Sequence, residues 1–226
     1  MSLALYGHPF SSYTQKVLIA LYENGTPFEF RCIGPDTPQH VTEWLKRWPL
    51  RKFPLLVDGE RQIVETSIII EYLQLAHPGP VPLLPADPMA ALDVRFMDRF
   101  FDLHVMEAMQ IAVDSALGRV PVKREEGLLI ARERLERAYA WLEEELAGRT
   151  SGAGAETWAT GADFTLADCA AAPSLFYADW THQIPDAYPV LRAYRAQLLA
   201  RPSFARAVDE ARYFRPHFPL GAPDRD

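Results

Sequence analysis

Cysteine is scarce in this sequence, and its absence from paired motifs excludes two kinds of site. Cys32 and Cys169 lie far apart and form no C-x-x-C pair, so they indicate neither a disulfide nor a cysteine metal site. Each lies in an apolar run and is predicted to be a buried thiol. The histidines are scattered singly, without the spacing of metal ligands. We therefore expect no metal.

Long hydrophobic runs and an excess of basic residues are also missing. No run approaches the ~18 apolar residues of a membrane span, and the N-terminus lacks the pattern of a signal peptide. The net charge of −7 argues against nucleic acid, since phosphate binding needs a basic surface. With 226 residues, 49% of them hydrophobic, the chain can bury a core in one large or two small domains. We expect a cytoplasmic globular protein with no nucleic-acid or membrane partner.

Two patterns follow one another along the chain. Predicted strands and helices alternate up to His77 in the order βαβ and then αββα, which is the order of a thioredoxin-like α/β domain with a mixed four-stranded sheet. A proline-dense stretch follows, and after it the apolar spacing is helical. The sequence therefore predicts a thioredoxin-like domain at 1–77, a linker at 78–88 and an all-α helical domain at 89–226, with a loop at 148–161.

The most informative segment is the turn that carries Ser11 and Ser12. An apolar strand enters a turn containing Pro9, and a helical apolar pattern begins after the two serines. Serine is a preferred N-cap, because its hydroxyl accepts from the free N–H groups of the first helical turn. The positive end of the helix dipole also stabilises anions there. This pattern is typical of a site for a thiolate or a phosphate, although capping alone explains it too.

Three further motifs accompany the serine turn. They are Arg51-Lys52-Phe53-Pro54-Leu55-Leu56, then Glu65-Thr66-Ser67 opening an apolar helix, and Thr165-Leu166-Ala167-Asp168 opening another. The last is typical of a reciprocal N-terminal cap, so Asp168 is predicted to be a buried, structural carboxylate. Together the four motifs resemble the cytosolic glutathione transferases of serine type, the zeta-like and tau-like classes in a bacterial-style member, over nearly the whole chain.

The resemblance implies that a hydroxyl stabilises the thiolate of bound glutathione. Ser11 is the first candidate, because it occupies the position of the first cysteine in thioredoxin-like redox proteins. Ser12 and Tyr6 remain alternatives, since tyrosine-type transferases place their hydroxyl at the end of this strand. Glutathione is then the co-substrate, and no other cofactor is implied.

The resemblance also implies which residues hold the tripeptide. Phe53 precedes a proline that is cis in the family, and its backbone pairs with the cysteinyl part. Glu65 takes the α-ammonium group, and Thr66, where serine is usual, takes the α-carboxylate. A basic side chain binds the glycine carboxylate. The implied glutathione-binding residues are Lys52, Phe53, Pro54, Glu65, Thr66 and His40, with Arg51 as an alternative to Lys52.

For the second substrate, the resemblance implies a pocket between the serine turn and the first long helix of the second domain. Its expected walls are Phe10, His104 and Met109, whereas Met106 is more typical of core. The implied function is conjugation of glutathione to a small hydrophobic electrophile in detoxification, by a homodimer. The alternatives are a glutathione-dependent isomerase of zeta type and a non-catalytic protein that binds glutathione or apolar ligands.

Overall fold

A four-stranded mixed sheet organises the first part of the chain. The structure is a computed structural model that describes residues 3–150 and 157–226. The strand order is β2-β1-β3-β4, with β1 parallel to β2 and β3 antiparallel to both β1 and β4. The strands are β1 (Leu3–Gly7), β2 (Phe28–Cys32), β3 (Leu55–Asp58) and β4 (Arg61–Ile63). This architecture confirms the predicted α/β class.

Helices cover both faces of this sheet, because successive side chains of a strand point to opposite sides. Leu3 and Leu5 of β1 pack into the large core with α1 (Ser12–Glu23) and α3 (Thr66–Ala76). Ala4 and Tyr6 face the other way, toward a small core. Trp44 of α2 (Pro38–Arg47) closes that second core. The carboxyl end of β1 is thereby packed on both faces of the sheet.

The remainder of the described chain is helical, as predicted. The helices are α4 (Pro88–Phe100), a π-helical segment (Phe101–Met106), α5 (Glu107–Ala116), α6 (Arg124–Thr150), α7 (Leu166–Thr181), α8 (Pro189–Ala200) and α9 (Pro202–Ala211), followed by a 3-10 segment (Arg212–His217). Every residue of α7 from Leu166 to Trp180 is buried, as expected of a helix that is apolar all round. It packs against α1 and α4, and so joins the sheet region to the helices.

Helix α7 continues through Pro173 to Thr181, because packing on all sides outweighs the loss of one backbone donor. Two local expectations require correction. The predicted loop at 148–161 begins late, since α6 extends to residue 150; residues 151–156 lie outside the described part. Cys32 is only half-buried, because β2 is an edge strand.

Candidate functional site

The turn between β1 and α1 places Ser11 at the N-terminus of α1. Ser11 is the N-cap, and its Oγ accepts from the Thr14 backbone N–H at 3.3 Å. Its side chain is half-buried, whereas Ser12 is buried. An accepting hydroxyl still has its own proton to donate. The structure therefore leaves the Ser11 hydroxyl available as a donor beside the helix dipole.

Two buried side chains, one from α1 and one from α7, fix the backbone of this turn. Tyr177 of α7 donates from its hydroxyl to the Phe10 carbonyl at 3.0 Å. The Gln15 amide donates to the Pro9 carbonyl at 3.1 Å and to the Tyr177 hydroxyl at 3.2 Å. On the other side, the Phe10 N–H donates to Nδ1 of His8 at 3.2 Å, and burial lowers the pKa of His8, which favours the neutral accepting ring. The turn is preorganised, as a site for a reactive sulfur requires.

Tyr6 lies away from this turn, on the α2 side of the sheet. It is fully buried in the small core with Trp44, and its hydroxyl accepts from the Arg31 guanidinium. Arg31 in turn pairs with Glu43 at 3.0 Å. Burial raises the pKa of Tyr6. These contacts give the Tyr6 hydroxyl a structural partner, and they favour Ser11 over it.

The segment before β3 exposes a length of unpaired backbone. The Phe53-Pro54 peptide bond is cis, and the Trp44 indole donates to the Lys52 carbonyl at 2.9 Å. Within residues 3–150 and 157–226, the backbone N–H and C=O of Phe53 have no hydrogen-bond partner. An extended peptide can pair with such groups in the manner of an added strand. The side chains of Arg51 and Lys52 are exposed beside it.

Glu65 and Thr66 meet at the start of α3 in an unusual conformation. Glu65 has a φ of 67°, a left-handed conformation that costs on the order of 1–3 kcal/mol for a residue other than glycine. Its exposed side chain does not cap α3. Thr66 is buried at the first position of the helix. The backbone thus presents an exposed carboxylate next to the helix N-terminus, an arrangement whose two charges complement a zwitterionic group.

A buried charge cluster supports these motifs and was missed in the sequence. Lys16 of α1 lies 2.6 Å from Asp98 Oδ1 and 2.8 Å from Asp102 Oδ2, and it also donates to Ser67 of α3 at 3.1 Å. Ser67 donates to Asp98 at 2.7 Å, and Arg99 contacts both carboxylates. Burial raises the pKa of Asp102, while the charge of Lys16 opposes that shift.

This cluster joins α1, α3 and α4, so it fixes the serine turn and the start of α3 relative to one another. The sequence signal was a lysine directly before the apolar run of α1, together with Asp98 and Asp102, which are spaced i, i+4 and flank Phe100 and Phe101. Charged residues at such positions are rarely buried unless they are paired.

The other implied binding residues are spread over the surface and core. His40 is half-buried on α2, with Nδ1 3.1 Å from the Cys32 carbonyl. His104 is exposed and packs on Phe100 at 5.0 Å, beside a groove of about 330 Å³. Met109 is buried in the large core, as is Met106.

Phe10, His104 and Met109 were expected to form one pocket, and the described residues do not place them together. Phe10 packs against Tyr177 and Phe218, on another surface from the His104 groove. Met109 faces inward, because α5 packs against α6 and α7. Helical spacing alone did not distinguish a pocket wall from core.

Comparison with known proteins identifies the family. Residues 5–81 match the model of the glutathione S-transferase N-terminal domain, and residues 86–197 match that of the C-terminal domain. The chain belongs to the glutathione S-transferase family. Glutathione is the co-substrate of this family. No helix of residues 3–150 and 157–226 is long and apolar enough to cross a membrane, and the same residues contain no cluster of metal-binding side chains.

The relatives of this chain differ in the functions that their names describe. The chain is 29% identical to a probable maleylacetoacetate isomerase of Vibrio cholerae, over 93% of this chain and 97% of that protein. It is 26% identical to a stringent starvation protein A homolog of Coxiella burnetii, over 92% of each. A glutathione S-transferase structure from Methylobacterium radiotolerans, in complex with glutathione sulfonate, is 30% identical with a TM-score of 0.72, covering 92% of this chain and 95% of that one.

Proposed function

We propose that this family member binds glutathione, stabilises its thiolate with the Ser11 hydroxyl and the N-terminus of α1, and conjugates it to a small hydrophobic electrophile. The observation that carries this proposal is the half-buried Ser11 N-cap on a turn held by Gln15 and Tyr177. A free thiol has a pKa near 8.5, so lowering it by about two units makes the sulfur mostly ionised at neutral pH.

We propose that two further segments hold the rest of the tripeptide. The unpaired backbone of Phe53, N-terminal to Pro54, suits the cysteinyl amide. Glu65 and the α3 N-terminus at Thr66 suit the γ-glutamyl ammonium and carboxylate. Lys52 directly precedes Phe53 and is exposed, so it is our first candidate to bind the glycine carboxylate. His40 is the second candidate. These roles follow from charge and hydrogen-bond complementarity.

The test is a titration of the protein with glutathione bound. We expect the thiolate absorbance to appear about two pH units below that of free glutathione, and the complex to conjugate at least one class of electrophile. S-methylglutathione is the matched control, because it binds through the same groups and has no thiol. A thiolate that titrates as in free glutathione, with no turnover across electrophile classes, would favour a non-catalytic binding protein.

An isomerase is the second candidate, supported by the likeness to the Vibrio cholerae protein. In that reaction the thiolate adds to a cis double bond and leaves after rotation, so glutathione is not consumed. Following free thiol during turnover of a cis-unsaturated ketone separates the two. Loss of thiol equal to product indicates conjugation, and constant thiol indicates isomerisation.

We also propose a homodimer, with the sheet domain of one subunit against the helical domain of the other. Two apolar side chains of α4 face outward. Leu92 is 55% exposed and Phe96 is 52% exposed. Ile68 of α3 is 56% exposed on the sheet domain. Exposed apolar patches of this kind mark protein contacts, and closed two-fold dimers are the commonest oligomers.

We expect Phe96→Glu to dissociate this dimer, weakening association by roughly 30-fold or more, as for a central aromatic contact. Light scattering at micromolar concentration measures the change. Tyr213→Glu is the matched control, because Tyr213 is also highly exposed but lies near the C-terminus. A wild-type protein that is monomeric at this concentration would refute the proposal.

A further inference from the structure

The last residue of β1 and the first turn of α1 touch with no room for another atom between them. Gly7 is buried, and a β-carbon added to it would lie 2.7 Å from both Cγ2 and Oγ1 of Thr14 and 3.3 Å from its Cβ. Carbon atoms in contact are normally about 3.5–4.0 Å apart. The φ angle of Gly7 is not positive, so lack of space, and not backbone conformation, calls for glycine here.

Neither side of this contact can yield easily. Gly7 is fixed in the sheet, because it pairs with Cys32 of β2 and its carbonyl accepts from the Ile33 N–H at 2.8 Å. Thr14 is fully buried. Both of its γ atoms face Gly7 at equal distance, so any staggered rotamer leaves at least one γ atom against the glycine. A methyl group on Gly7 would therefore push the start of α1 away from the sheet, by up to about 1 Å.

The contact sets the distance between the two parts of the proposed sulfur site. The Thr14 N–H donates to Ser11 Oγ, so the serine hydroxyl moves with this turn of α1. The Phe53 backbone, proposed to bind the cysteinyl amide, precedes β3, and β3 is fixed to β1 by the pairing of Leu55 with Tyr6. One part of the site thus belongs to the helix and the other to the sheet. Reacting groups must be held within about 0.5 Å, and a 1 Å displacement exceeds that tolerance.

We propose that Gly7 and Thr14 are positioning residues that hold the Ser11 hydroxyl at hydrogen-bonding distance from the glutathione sulfur. The inference rests on the proposed function. Both residues are buried, so they act through Ser11 and not on glutathione itself. Oγ1 of Thr14 has no hydrogen-bond partner within residues 3–150 and 157–226. The contribution of Thr14 is therefore the shape of its side chain and not its hydroxyl.

The first measurement is the pH titration of the thiol of bound glutathione in Gly7→Ala. We expect the thiol pKa to rise by about one unit or more toward that of free glutathione, because the displaced hydroxyl donates a weaker hydrogen bond to the thiolate. The affinity for S-methylglutathione should change less than about three-fold, since the sheet side of the site is unmoved. Gly34→Ala is the matched control. Gly34 follows β2, and a β-carbon added there meets no atom within 4 Å, so its titration should stay as in wild type.

Substitutions of Thr14 test whether this contact causes the shift. Thr14→Ala removes both γ atoms, so Gly7→Ala/Thr14→Ala should titrate within about 0.3 pH units of Thr14→Ala alone. Thr14→Val keeps the shape without the hydroxyl and should preserve the low thiol pKa. Thr14→Ile adds a methyl group beyond the position of Oγ1 and should raise the thiol pKa as Gly7→Ala does. The isoleucine variant repeats the test from the helix side if Gly7→Ala does not fold.

Three results would overturn the inference. In the first, Gly7→Ala or Thr14→Ile loses stability to urea while the bound thiol titrates as in wild type, which would make the contact purely structural. In the second, the shift in Gly7→Ala persists in the double variant, so the Thr14 side chain is not its cause. In the third, Thr14→Val shifts the titration as much as Gly7→Ala does, which would assign the effect to the hydroxyl. Failure of the proposed function has a different signature, because the wild-type complex would itself titrate as free glutathione, and the inference would fall with it.

Discussion

Asp168→Ala is expected to lower the free energy of unfolding by on the order of 3 kcal/mol or more without specifically removing glutathione binding. The carboxylate is fully buried and accepts from four donors: the backbone N–H groups of Ala159 and Thr165 at 2.8 Å, the Thr165 hydroxyl at 3.0 Å and the Tyr194 hydroxyl at 2.6 Å. Alanine would leave these donors unpaired, and each buried unsatisfied group costs about 1–3 kcal/mol.

The expected loss of stability in Asp168→Ala exceeds the loss from removing a simple helix cap, which is about 0.5–2 kcal/mol. Asp168 caps α7 and also fixes Ala159 and α8 through Tyr194, so one carboxylate joins three parts of the helical domain. Burial raises the pKa of Asp168, and its hydrogen-bond donors oppose that shift. The group is therefore structural, without the exposure that a general acid needs.

Urea denaturation measures the change in the free energy of unfolding of Asp168→Ala, and glutathione affinity is determined on the folded protein. Asp163→Ala is the matched control, because Asp163 is exposed five residues earlier and its loss should change stability by less than about 0.5 kcal/mol. An Asp168→Ala protein that kept wild-type stability but lost activity would contradict the structural assignment.

The sequence predicted those features that nearby residues determine. The turn before α1 and the Thr165–Asp168 cap each depend on a few consecutive residues, and the structure contains both. The fold class followed from the order of such segments. The α/β and all-helical halves are accordingly confirmed.

Long-range pairing was not predictable in the same way. Lys16 and Asp102 are 86 residues apart, and either residue alone resembles a surface charge. The burial of Met109 was not predictable for another reason: the same helical spacing suits a pocket wall and a core position.

Ser11→Ala is expected to reduce turnover by about 10²-fold, with little change in glutathione affinity. A donor to a developing or stable thiolate is worth roughly 2.7–4 kcal/mol in comparable anion sites. Affinity is retained because Phe53, Glu65 and Thr66 are proposed to hold the ends of the peptide. The measurement is kcat and KM for glutathione, with the pH titration of the bound thiol, whose pKa should rise toward that of free glutathione.

Capping and hydrogen-bond donation must be separated, because the Ser11 hydroxyl also accepts from Thr14 N–H. Alanine removes both functions, and the lost cap costs about 0.5–2 kcal/mol of stability. Glycine is a tolerated N-cap that costs only a few tenths of a kcal/mol, so Ser11→Gly should match alanine in lost turnover while keeping most of the stability. Ser11→Thr retains a hydroxyl and should restore part of the activity.

The neighbouring hydroxyls supply the decisive controls for Ser11. Ser12 is buried, and Tyr6 is bonded to Arg31 on the α2 side of the sheet, so Ser12→Ala and Tyr6→Phe should change the thiol titration little. A wild-type titration in Ser11→Ala and Ser11→Gly, together with a shifted one in Tyr6→Phe, would move the role to the tyrosine. A shift only in Ser12→Ala would assign it to the second serine. Because Ser11 alone combines partial exposure with the helix N-terminus, we expect the thiol pKa to respond to this position and not to the other two.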